Sequence, residues 1–92
     1  MKKHRLYVKN RCKALERPIF SVLPLKVRGL WAYLQSKPDG WEVSIEEMAE
    51  ELLENEEDIK IALEMLMLAH ILQIKPRFKK EGGMAPADYI LD

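Results

Sequence analysis

Cysteine is nearly absent from this chain. Cys12 stands alone, so no disulfide can close within the molecule, and such usage fits a reducing compartment. Histidine is almost as scarce. His4 and His70 lie far apart, and with one thiol they give no ligand cluster for a metal. Long hydrophobic runs are missing as well. The most apolar stretch, Ile61 to Leu72, is broken by Glu64 and His70 and cannot span a bilayer. The start MKKHRLYV is basic but lacks the apolar core of a secretory signal. There is no Gly-rich phosphate loop, no Ser elbow and no His-Glu-x-x-His helix. The resulting expectation is a cytoplasmic protein that is not an enzyme, uses no cofactor or metal and has no membrane partner.

What is present fits one small domain. At 92 residues, 48% hydrophobic and 33% charged, the chain has the balance of a compact fold rather than a disordered one. Its zero net charge hides a division. Residues 1–37 carry ten Lys/Arg and one acid, Glu16, whereas residues 38–64 carry eleven Asp/Glu and one base, Lys60.

Residues 1–23 read as a basic amino-terminal arm, and residues 24–92 as the folded domain. In the arm two readings stand: a short strand at Leu6, Tyr7 and Val8, or a helical turn or two between Tyr7 and Glu16. A helix starts near Pro24, whose fixed φ suits a first helical position, and runs to about Ser36. Val27, Leu30, Trp31 and Leu34 mark its buried face. Gly29 inside it costs roughly 1 kcal/mol against Ala, which predicts the close approach of a neighbouring element. Lys37-Pro38-Asp39-Gly40 ends the helix, and Trp41-Glu42-Val43 reads as a brief strand. Ser44 with Glu47 forms an S-x-x-E capping box ahead of a helix with the core stripe Ile45, Met48, Ala49 and Leu52. Asn55 caps a further helix to about Ala69, whose core face is Ile59, Ala62, Leu63 and Leu66. After His70 the period changes from helical to alternating. A strand through Leu72, Ile74 and Phe78 contains Pro76, which confines it to a sheet edge. Lys79 to Pro86, which contains Gly82-Gly83, reads as a mobile loop, and Ala87 to Leu91 as the return strand. The expected fold is α+β: a winged helix-turn-helix of three helices and a small antiparallel sheet with a carboxy-terminal wing hairpin.

The stretch Leu25-Lys-Val-Arg-Gly-Leu-Trp-Ala-Tyr-Leu-Gln-Ser-Lys-Pro-Asp-Gly-Trp41 resembles the first helix and turn of phage replisome-organiser proteins, whose winged-helix domain is related to the amino-terminal domain of the primosomal DnaD family. Ser44 to Ala49 resembles the family's second helix. Ile59, Leu63 and Leu66, then Ala69 to Leu72, resemble its third helix and the entry to the wing. Gly82-Gly83 with Ala87-Asp-Tyr-Ile90 resembles the wing tip and last strand. The resemblance implies a role in starting replication of phage or prophage DNA, with DNA, replication proteins or a second copy as partners. Two departures stand out: His70 replaces the Gly that relatives tend to have after the third helix, and the sequence stops after the wing, where relatives often continue. His is among the residues that tolerate a left-handed backbone.

The third helix is poorly equipped to read a major groove, because Glu56, Glu57, Asp58 and Glu64 outweigh Lys60 beside phosphates. Contact with duplex or single-stranded DNA falls instead to Lys75, Arg77, Lys79 and Lys80 of the wing and Lys9, Arg11 and Lys13 of the arm, since phosphates need only point charges. Tyr7 and Phe78 lie among these cations, where they either stack on bases or simply pack. Ile61, Met65 and Leu68, continued in sequence by Leu72, form a second apolar stripe. It either completes the core or serves as a homo-oligomer interface. Five glutamates on the second helix suit a basic partner or an ordinary solvated surface. Two functions therefore stand side by side: a replication-initiation module that binds nucleic acid through wing and arm, or a protein–protein module without DNA contact. A continuous positive surface through Lys75, Arg77, Lys79 and Arg11 favours the first; an arm folded onto the glutamates favours the second.

Overall fold

A computed structural model describes residues 3–9, 13–78 and 84–92, with only the backbone described at 13, 77, 78 and 84–86. The chain runs through strand β1 (His4–Val8), a single 3-10 turn (Lys13–Glu16), and helices α1 (Pro18–Ser21) and α2 (Leu25–Gln35). Strand β2 (Trp41–Val43), helices α3 (Ile45–Leu52) and α4 (Glu56–Leu68), and strands β3 (Leu72–Phe78) and β4 (Met84–Leu91) follow. The fold is α+β, with helices packed over one face of a four-stranded sheet of order β2-β1-β4-β3.

Two expectations about this fold need correcting. The sheet is mixed, not antiparallel: β1 runs antiparallel to β2 but parallel to β4, with Leu6 opposite Tyr89 and Val8 opposite Leu91. Parallel pairing requires a long crossover, and here the whole helical region supplies it, so no local period in the sequence reports it. The second correction concerns the helices. Residues 18–21, within the segment read as an arm, form a helical turn of their own beginning at Pro18; Pro is well suited to the first helical position. The strand reading of the arm holds at His4–Val8, and residues 13–16 form a single 3-10 turn.

Core positions follow the helical stripes. Val27, Leu30, Trp31 and Leu34 on α2 are buried, as are Ile59, Ala62, Leu63 and Leu66 on α4, against Leu6, Tyr89 and Leu91 from the sheet. Phe20 reaches in from α1 and meets the Trp31 ring edge-on at 4.8 Å. Ser44 accepts the Glu47 amide at 3.1 Å, and Asn55 accepts the Asp58 amide at 2.8 Å, so each satisfies an orphan donor at its helix start. The Glu47 carboxylate does not complete the reciprocal box; it pairs with Lys3 at 3.1 Å.

At the other end of α4, Arg17 supplies the cap. Its guanidinium donates to the carbonyls of Ala69 and His70, each at 2.9 Å, and lies 3.4 Å from the Asp92 carboxylate. His70 has φ 59, the left-handed conformation that its place after α4 requires. The turn before β2 is fixed from outside. Gly40, at φ 83, donates to the Leu6 carbonyl at 2.8 Å, and Asp39 accepts the Val8 amide at 3.0 Å. Lys37 lies over the rings of Tyr33 and Trp41, and Tyr33 donates to Glu51 at 2.6 Å. Burial first, and the Glu51 carboxylate second, push the Tyr33 hydroxyl well above its ordinary range.

Pro76 lies on β3, an edge strand, and the register shifts between Lys75 and Arg77. This is the placement a residue without an amide donor demands. Gly29 behaves differently from expectation. A Cβ built there meets nothing within 4 Å, so no neighbouring element approaches it.

Candidate nucleic-acid interface

Strand alternation divides the sheet into two faces. His4, Leu6 and Val8 point toward the helices, with Leu6 fully buried. Arg5, Tyr7 and Lys9 point the other way. Register carries this outer face across three strands. Tyr7 pairs with Ile90, which pairs with Gln73; Lys75 pairs with Asp88, and Arg5 lies 3.9 Å from the Asp88 carboxylate. Glu42 on β2 stands opposite Arg5. The outer face thus holds a charge-alternating row, Glu42, Arg5, Asp88 and Lys75. Beside it run Tyr7, Ile90 and Gln73, with Lys9 at the end of β1.

Of the cations expected to touch phosphate, Lys9 and Lys75 are exposed, and neither has an ion-pair partner among the described residues. The Lys9 amide donates to the Leu91 carbonyl at 2.8 Å, which ties the start of the arm to the root of the hairpin. Lys13 and Arg77 are placed by backbone alone, in the 3-10 turn and at the bulge on β3. Arg11, Lys79 and Lys80 lie outside the described residues, as does the Gly82-Gly83 tip. Tyr7 sits half-buried in the middle of the outer face, whereas nothing is described of the Phe78 side chain.

Three other cations of residues 1–37 are engaged within the molecule. Lys3 pairs with Glu47 on α3, Arg17 caps α4, and Lys26 bridges Glu54 and Asp58 at 3.2 and 3.3 Å. The spacing of the sequence could not show these commitments, because each joins segments far apart in the chain and exists only once those segments have packed together.

 The pairings are Lys3 with Glu47, Arg17 with Ala69 and His70, and Lys26 with Glu54 and Asp58, all of them between distant parts of the chain.

The apolar stripe on α4 divides in two. Met65 is half-buried and packs against the core, while Ile61 is 47% and Leu68 80% exposed. Leu72, which continues the stripe in sequence, belongs to the core. Ile19 on α1 and Val22 at its carboxy-terminal cap join Met65 and Leu68 around a shallow apolar groove. This extension of the stripe was not legible in the sequence, because Ile19 and Val22 lie more than 40 residues from Met65 and meet it only once the chain has packed.

Comparisons with protein-family models, with curated proteins and with solved structures return no match for this chain. Among the described residues, no helix is long and apolar enough to cross a membrane.

Proposed function

We propose that the chain is a winged-helix module of the replisome-organiser type that binds nucleic acid through its wing and basic arm and self-associates through Ile61, Met65 and Leu68. The α2, α3 and α4 order, the tight turn at residues 53–55 and the β3–β4 hairpin support the winged-helix reading. The observation that carries the nucleic-acid reading is the joining of arm and hairpin in one sheet. It sets Arg5, Tyr7 and Lys9 beside Gln73 and Lys75 on the outer face. The cations Lys9 and Lys75, without an ion-pair partner among the described residues, serve phosphate contacts on such a surface, and the central Tyr7 ring serves stacking. The acidic residues of α3 and α4 keep those helices away from a phosphate backbone.

One contact favours the second reading, a protein–protein module without DNA contact: Lys3 pairs with Glu47, so the arm does touch an α3 glutamate. Fluorescence anisotropy of labelled duplex and single-stranded DNA across a salt series separates the two. Log affinity falling against log salt, with a slope of about −0.9 for each duplex phosphate contacted, is the expected result. Absence of binding at low salt leaves the protein-contact module as the function.

A further inference from the structure

Gly29 occupies the middle of α2 although nothing lies within 4 Å of its absent side chain. Such a glycine costs the helix about 1 kcal/mol relative to Ala. What it leaves open is a hollow of about 160 Å³ against the α3–α4 turn, walled by Leu30, Leu52, Ile59 and Ala62. That volume is close to the roughly 150 Å³ of an apolar cavity that accepts benzene, so one aliphatic or aromatic side chain fits. Its rim is charged, with Lys26 shared between Glu54 and Asp58.

A second, independent observation lies in the adjoining turn. Leu53 has φ 56 and ψ 41, and it is 90% exposed. A left-handed backbone costs a residue with a Cβ about 1–2 kcal/mol, and Gly or Asn is the usual choice after a helix. Leu53 therefore breaks a backbone preference and a solvation preference together. Its chain neighbours Leu52 and Glu54 both line the hollow. Strain of this kind gathers at ligand clamps and switch regions. Around the hollow the same two helices present Glu46, Glu50 and Glu57 to solvent, so the surface repels anions and attracts cations.

We propose that this hollow docks a basic amphipathic helix of another protein. One apolar side chain of that helix enters between Gly29 and Ile59, Leu53 covers it, and flanking Lys or Arg residues pair with the exposed Glu46, Glu50 and Glu57. This is helix-in-groove recognition with charge complementarity at the rim. A second copy of this chain is a poor occupant, because α4, its helix with an exposed apolar stripe, carries Glu56, Glu57, Asp58 and Glu64 against the single cation Lys60. The proposal is independent of the nucleic-acid reading, since it uses different residues and opposite charge.

The test uses the full chain and a fluorescein-labelled helical peptide of about 15 residues, built from Leu and Lys with its leucines on one face. Saturable binding is expected, with amide chemical-shift changes at residues 26–30 and 52–58 rather than on β3. Gly29→Leu fills the hollow without altering charge and should lower affinity at least about tenfold while the protein stays folded. Leu53→Gly should raise Tm and also weaken binding, which keeps the test decisive if Gly29→Leu misfolds. The proposal is overturned by equal binding of the Glu-for-Lys peptide, by unchanged affinity in both variants, by shifts centred elsewhere, or by no saturation. Self-association that Gly29→Leu abolishes would put a second copy in the hollow, and would equally overturn it.

Discussion

The two charged regions of this molecule are built differently. The basic segment at His4–Val8 is an inner strand, paired on both sides and anchored by a fully buried Leu6. The acidic region is a pair of capped helices whose carboxylates lie largely on the surface. In the strand, charge alternates with core residues, and register with β4 and β2 decides its neighbours. On the helices, charge occupies the side left over when the apolar stripe is buried. A cation on the strand therefore has a fixed position relative to the hairpin, whereas most glutamates of α3 and α4 are held only by their own helix.

Leu6→Ala tests this contrast with the largest expected effect. Removing a buried leucine from an inner strand should cost about 2–5 kcal/mol, measured by urea denaturation. A cost near that of an exposed site would mean that the segment is a loose arm after all. Next comes the double change Lys9→Glu with Lys75→Glu. It should reduce the magnitude of the salt slope for duplex binding by about 1.8, twice the contribution of one phosphate contact, while Glu46→Gln with Glu50→Gln leaves the slope unchanged. A slope that responds to the glutamates and not to the lysines would reverse the assignment of the two regions.

Ile61→Glu with Leu68→Glu addresses self-association. Both side chains are exposed, so the fold should persist while any dimer seen by sedimentation dissociates; loss of folding would return the stripe to the core. Gly29→Ala should stabilise α2 by about 1 kcal/mol, because its Cβ enters open space. A lower Tm would show that something does approach that position.

The smallest effect is in alkali. Burial, first among the causes, raises the hydroxyls of both Tyr33 and Tyr89 above their ordinary value of 10.0. The unfolded chain then loses these protons before the folded one does, so the stabilising contribution is complete below that value and declines as pH rises above it. Thermal melts above pH ~10 should show this decline reduced in Tyr33→Phe. An identical alkaline profile in that variant would remove Tyr33 as a cause.

Local chemistry made much of the helical part legible. The stripes on α2 and α4, the caps Ser44 and Asn55, the left-handed His70 and the edge position of Pro76 all follow from short-range sterics and hydrogen bonding, which act between residues close in sequence. The outer face of the sheet was only half legible. Lys9, Lys75 and Tyr7 were visible as residue types, but their meeting depends on β1 lying parallel to β4.

By itself, then, the sequence determined where α3 and α4 begin, which faces of the main helices are apolar, and the division of charge between residues 1–37 and 38–64. Tertiary structure alone decided that the amino-terminal strand enters the sheet, that Arg17 caps α4 from the far end of the chain, and that Gly29 borders a hollow rather than a neighbour. The physical reason is range: propensity and periodicity act over a few residues, whereas strand partners, caps from remote arginines and empty volume exist only once distant segments have packed together.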